Sequence, residues 1–206
     1  MRLSVSAVIA SLTVASVAFA QTKTGTQSGS SAVASSTPSE WALDGSVGFG
    51  APDFGNASLG FDAMGAAEWH PKALPLAFRG EVGYDYFGGG SASYGSASYS
   101  AHSDILRFDV DALYDIPVHW TSKLQPYLLG GLGIYHVGVS ASGCVPGTCI
   151  SAGASDTNLG INLGGGLRYP FGPVDGFFEL RWHEAFTAGD AAFFPFQFGV
   201  RYRIPG

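Results

Sequence analysis

Phe194-Pro195-Phe196-Gln197-Phe198-Gly199-Val200-Arg201-Tyr202-Arg203-Ile204 decides the fold. Every second residue from Phe194 to Ile204 is large and apolar, while Arg201 and Arg203 fall between them. Side chains alternate across a strand, so this run reads as one strand with an apolar face and a polar face. The same texture recurs upstream in seven more segments: 41–50, 57–69, 76–86, 104–115, 125–139, 158–169 and 176–187. Leu106, Phe108, Val110, Ala112 and Tyr114 share one face of the fourth, for example, and Leu159, Ile161, Leu163, Leu167 and Tyr169 one face of the sixth. The fifth has no assignable facing, because glycines flank Leu128, Leu132 and Ile134 on both sides.

The breaks between segments alternate in length. His70–Pro75, Ile116–Lys123 and Pro170–Asp175 are short to moderate, whereas Phe87–Ser103 and Ser140–Thr157 are long. Short turns at one end and long loops at the other are the layout of an outer-membrane barrel, with its short turns in the periplasm. The expected fold is therefore all-β: an eight-stranded antiparallel up-and-down transmembrane β-barrel over residues 40–206.

The N-terminus supports export. Met1-Arg2 is followed by an apolar run to Val17 and by Ala18-Phe19-Ala20, a small-x-small cleavage site. Residues 1–20 read as a signal peptide, and 21–39, rich in Ser, Thr and Gly, as a flexible periplasmic linker. Beyond residue 20 no run of 18 apolar residues occurs, so strands rather than a helix must present the apolar surface to lipid.

Charge decides which face meets lipid. Lys23, Lys72 and Lys123 all fall in the linker or in turns; a water-facing wall would carry lysine on its strands. The polar faces instead hold Arg79, Arg107, Arg168, Arg181, Arg201 and Arg203 against Asp44, Asp62, Glu68, Glu81, Asp85, Asp109, Asp111 and Glu179. An eight-stranded barrel is just wide enough for its own side chains. Buried charges there must pair, and the planar fork of arginine suits that task better than lysine. Arg79, Glu81, Asp85, Arg107, Asp109, Asp111, Arg168, Glu179, Arg181, His183, Arg201 and Arg203 are the expected lumen network. Trp41, Trp69, Tyr114, Tyr127, Tyr169 and Tyr202 gather at the periplasmic strand ends as an aromatic girdle.

Four stretches carry a resemblance: Gln125–Tyr135 (QPYLLGGLGIY), Asn158–Pro170 (NLGINLGGGLRYP), Phe177–His183 (FFELRWH) and Phe196–Ile204 (FQFGVRYRI). Over residues 40–204 the chain resembles the small outer-membrane β-barrel superfamily of OmpA-like, OmpX-like and opacity-type, porin-like barrels. The resemblance implies insertion by the outer-membrane assembly machinery and roles from membrane integrity to adhesion. The chain departs from that pattern by ending Ile204-Pro205-Gly206 rather than on an aromatic.

No catalytic or metal constellation stands out. His183 and Glu184 point to opposite faces of one strand, and the histidine-x-serine pattern of lipid A deacylase barrels is absent. His70, His102, His119, His136 and His183 are scattered, unlike metal-ligand spacing; no cofactor is expected. Cys144 and Cys149 bracket Val-Pro-Gly-Thr in the third outer loop and should form a local disulfide in an oxidising compartment. The second outer loop repeats Ser-Ala-Ser-Tyr and reads as flexible and solvated. A net charge of −6 argues against nucleic acid. The expected protein is a monomeric barrel with a structural or surface-interaction role, its partners being outer-membrane lipid and the assembly machinery. The alternative is a narrow pore, or transport of a small apolar ligand.

Overall fold

The computed structural model describes residues 40–53, 58–118, 123–187 and 191–205. The stretches read as signal peptide and linker, Lys23 among them, and His119 lie outside the described residues. Eight antiparallel strands follow one another: β1 (Glu40–Pro52), β2 (Gly60–His70), β3 (Ala77–Tyr94), β4 (Ala97–Asp115), β5 (Gln125–Val145), β6 (Thr148–Phe171), β7 (Val174–Ala185) and β8 (Ala191–Ile204). Each pairs with its neighbour, and β1 pairs with β8 from Trp41↔Ile204 to Pro52↔Phe193, closing the barrel. Closure leaves the barrel wall no open edge.

The facing follows the sequence pattern. Leu43, Val47, Phe49, Val82, Phe108, Val110, Leu132, Leu163, Phe198 and Val200 are exposed on the outer wall. The side chains between them are buried inside. Trp41, Trp69, Tyr114, Tyr169 and Tyr202 ring the end that carries the short turns, exposed, with Trp41 stacked on Trp69 at 6.2 Å and Trp69 on Phe78 at 6.0 Å. Tyr127 does not join them. It is buried in the lumen, because its hydroxyl is drawn to Glu179 at 2.6 Å.

The fifth strand acquires a facing that its glycines conceal. Tyr127, Leu129 and Tyr135 point inward, and Leu128, Leu132 and Ile134 outward. Gly131 and Gly133 share the inward parity, where the Asp111 and Asp109 side chains of β4 occupy the space a Cβ would need.

The largest departure is at the outer end. The stretches expected as loops, Phe87–Ser103 and Ser140–Thr157, are continuous hairpin. β3 and β4 pair up to Tyr94↔Ala97, and β5 and β6 up to Val145↔Thr148. Gly95, at φ 61°, and Gly147, at φ 83°, make the two turns, using a backbone region that glycine enters freely. Val145-Pro146-Gly147-Thr148 fits a type II turn, with proline second and glycine third. The Ser-Ala-Ser-Tyr repeat folds onto itself: Ala92 faces Tyr99, Ser93 faces Ser98 and Tyr94 faces Ala97. At the periplasmic end the third turn is also tighter than expected. It is Gly172-Pro173, since Pro170 and Phe171 still pair with Asp175 and Val174.

Candidate functional site: the sealed lumen

Nine buried carboxyl side chains (Asp44, Asp62, Glu68, Glu81, Asp85, Asp109, Asp111, Asp175 and Glu179) share the lumen with five buried arginines (Arg79, Arg107, Arg168, Arg181 and Arg201). Five serve nine because each guanidinium reaches at least two carboxyl groups, as its planar five-donor fork allows.

The network is built in three levels, set by the strand register. Near the end with the short turns, Glu68 on β2 is held by Arg168 of β6 at 2.9 Å and by Arg201 of β8 at 3.0 Å. His70 Nε2 lies beside the same carboxylate and 2.6 Å from the Arg201 guanidinium. Arg168 also covers the Tyr127 ring, 4.1 Å from its centroid. At mid-height, Arg79 of β3 donates to both Glu179 oxygens at 3.0–3.1 Å. Arg181 of β7 donates to Glu81 at 2.9 Å and to Asp111 at 3.2 Å, and contacts Glu179. Above this, Arg107 of β4 bridges Asp62, at 2.9 Å, and Asp85. Gln197 donates to Asp62 at 2.7 Å, Tyr135 to Asp109 at 2.8 Å and Asn162 to Asp111 at 2.8 Å. A single chain of contacts thus crosses the lumen between opposite walls. Such pairing is needed because an unpaired buried charge costs several kcal/mol.

Apolar side chains close the lumen above the network. Phe87, Ile105, Tyr135, Ala185, Ala191 and Phe193 pack together towards the outer end. His183 joins this layer rather than the arginine network: its ring stacks on Phe193 at 4.8 Å, and Nδ1 lies 3.0 Å from the Tyr135 hydroxyl. Ala77, Leu113, Tyr127 and Leu129 form a second cluster near the periplasmic ends of β3, β4 and β5.

Of the expected lumen residues, Arg79, Glu81, Asp85, Arg107, Asp109, Asp111, Arg168, Glu179, Arg181, His183 and Arg201 are buried inside. Arg203 has the same parity and pairs with Ala42 near the end of the β1–β8 ladder, on the side of the short turns. Its side chain is 40% exposed, and it donates to Asp175 at 2.8 Å and to the Gly172 carbonyl at 2.7 Å. Asp175, expected in a turn, is itself buried and part of the network. Gln197, Asn162, Tyr127 and Tyr135 escape a reading based on formal charge. For Gln197 and Asn162 the available signal is inward parity, an even number of residues from Arg201 and Arg168 on the same strands; Tyr127 and Tyr135 lie on the fifth strand, which has no charged residue to fix its parity. Cys144 and Cys149 form a disulfide across the β5–β6 hairpin tip. Among the described residues no His/Cys/Asp/Glu group is arranged to hold a metal ion.

No family model and no curated protein matches the chain. Solved structures do. The chain is similar to a major outer membrane protein from Thermus thermophilus, with 15% identity over 82% of this chain and 100% of that one, at a TM-score of 0.55. Neisserial surface protein A aligns at 20% identity over 80% of this chain and 96% of that one, TM-score 0.48. The N-terminal β-barrel domain of Pseudomonas aeruginosa OprF aligns at 12% identity over 81% and 100%, TM-score 0.45. The fold is that of the small outer-membrane β-barrels.

Proposed function

We propose that the protein is an exported barrel of the outer membrane, with residues 1–20 as signal peptide, 21–39 as periplasmic linker and 40–206 as the barrel. Its role in this reading is structural or surface-directed, and solutes do not cross through it. One observation carries the reading: the lumen is occupied from wall to wall by the arginine–carboxylate network and capped by the Phe87–Phe193 layer, while the outer wall is apolar. Closure of β1 on β8 within one chain means that a monomer suffices. Lipid is then the partner of the wall, and the outer-membrane assembly machinery the partner during insertion. The test is conductance in planar bilayers. Insertions confirmed by antibody or label are expected to stay electrically silent. Reproducible single-channel steps would contradict the sealed lumen and favour the narrow pore.

A further inference from the structure

The two long hairpins form one four-stranded sheet that rises beyond the barrel. β2 starts at Gly60 and pairs with β3 only as far as Tyr86, and β7 ends at Ala185, opposite Gly160. The end of β6 from Thr148 to Asn158 therefore stands clear of β7, a length of about 35 Å at ~3.3 Å per residue.

Residues directly opposite across a sheet share a face, so the register sorts this extension into two sides. On the side continuing the lipid-facing wall, Ser91, Ser100, Ser142 and Ser151 lie opposite one another across all four strands, with Ser100 and Ser142 hydrogen-bonded at 2.9 Å. Ser93, Ser98 and the disulfide occupy the same side. On the side continuing the lumen, Ala92, Tyr99, Gly143 and Ile150 form one row, and Ala101, Ala141 and Ala152 another. The polarity of the barrel is thus inverted above the membrane belt: hydroxyls outside, apolar groups inside. The inner side forms a groove of about 560 Å³, lined by Tyr94, Ala97, Tyr99, Val145, Ile150 and Ala152 among others, with no charged side chain in its lining among the described residues.

We propose that this groove is a binding site for a small, neutral, lipophilic molecule captured outside the cell. Its volume lies within the ~300–1,000 Å³ of small-molecule sites, which are mostly apolar with a few hydroxyls; here the hydroxyls are those of Tyr94, Tyr99 and Thr148. The uncharged lining offers no partner to an ionic ligand. The nearest acid on that side, Asp156, already accepts from the Asn158 side chain and the Thr157 amide, both at 2.9 Å. Below the groove the inward row continues through Val139, opposite Ser103 and Ala154, to Val137, which lies opposite Asp156 and packs against the Phe87–Phe193 layer. The proposal rests on the outer-membrane reading only for the side of the membrane that the groove faces.

The test uses the folded full barrel in lipid nanodiscs, methyl-labelled at Ile, Val and Ala, titrated with naphthalene as the neutral probe. Saturable shifts are expected at Val145, Ile150, Ala97 and Ala152, with Ile134 on the lipid wall following only the bilayer background. Ile150→Asp, and separately Ala152→Arg, should abolish saturation at the remaining groove methyls while the unboiled protein keeps its compact gel mobility. Shifts that rise linearly and equally at Ile134 and Ile150 would mean partition into lipid and overturn the site. Groove shifts that grow with protein concentration in the absence of naphthalene would overturn it in favour of a second copy of the chain. Either result would leave the sealed-lumen reading intact, since that stands on conductance.

Discussion

The membrane belt and the outer hairpin sheet are made by the same strands with the same two-residue alternation, yet their polarity is opposite. On β5, Leu132 and Ile134 face outward in the belt, whereas a few residues further Ser140 and Ser142 do so; inward, the Tyr135 of the network layer gives way to Val139, Ala141 and Val145. Alternation only divides a strand into two faces. The surroundings of each face decide which one is apolar. In the belt a paired polar network lies inside and, in the proposed reading, lipid lies outside. Above it, the hydroxyl side takes the outer position and the apolar side turns over the barrel mouth.

The largest expected effect separates the two regions by their charges. Arg79→Met strips Glu179 of its bidentate partner and should destabilise the barrel by about 3–5 kcal/mol, read as a lower urea midpoint for unfolding from micelles. Ser142→Ala, which removes only the bond to Ser100, should stay within ~0.5 kcal/mol. Equal losses at the two sites would break the distinction between a sealed lumen and a solvated sheet.

The same substitution placed in both regions gives the next effect. Leu132→Arg on the outer wall should cost about 2–4 kcal/mol if that position lies near the bilayer midplane. Ile150→Arg, on the hairpin, should change the midpoint by no more than ~0.5 kcal/mol. A tolerated Leu132→Arg would argue that water, not lipid, meets the wall.

Packing sharpens the comparison within the belt itself. A Cβ on Gly166 would overlap the Tyr127 ring and the Phe178 carbonyl, while one on Gly45 meets nothing within 4 Å. Gly166→Val should therefore cost about 1–3 kcal/mol by overpacking. Gly45→Ala should leave the unfolding midpoint unchanged or raise it slightly, by restricting the unfolded chain.

The smallest effect belongs to the hairpin tip. Replacing Cys144 and Cys149 together by serine removes a bridge that spans only the turn. The barrel midpoint should not move, because the tip opens without the belt. Amide exchange should speed up locally around Val145–Thr148. A barrel that loses its gel mobility on reduction would contradict this independence.

These contrasts also explain what the sequence made legible. Strand number and the lipid-facing side of Leu106–Tyr114 or Phe194–Ile204 could be read because large apolar residues recur every second position. Most of the lumen network could be read because its members carry formal charge on the opposite parity. Gln197 and Asn162 carry none, and Asp175 sits beside a Gly-Pro turn, so they did not stand out. Tyr127 occupies a strand end, where tyrosine usually marks an interface; only the position of Glu179 across the barrel explains its inward turn. The hairpins were misread for a physical reason. Serine, alanine and glycine alternate there as regularly as leucine and glycine do below, but with so little contrast in hydropathy that the strand period is invisible until the register is known.

The most direct measurement is heat-modifiability in the outer-membrane fraction, with unboiled and boiled samples run side by side on an SDS gel. A closed barrel with a lipid-facing wall should co-fractionate with outer-membrane markers and migrate as a compact band that shifts only on boiling. A protein recovered in the soluble periplasm, with one band unchanged by heat, would contradict the assignment of the apolar wall to lipid.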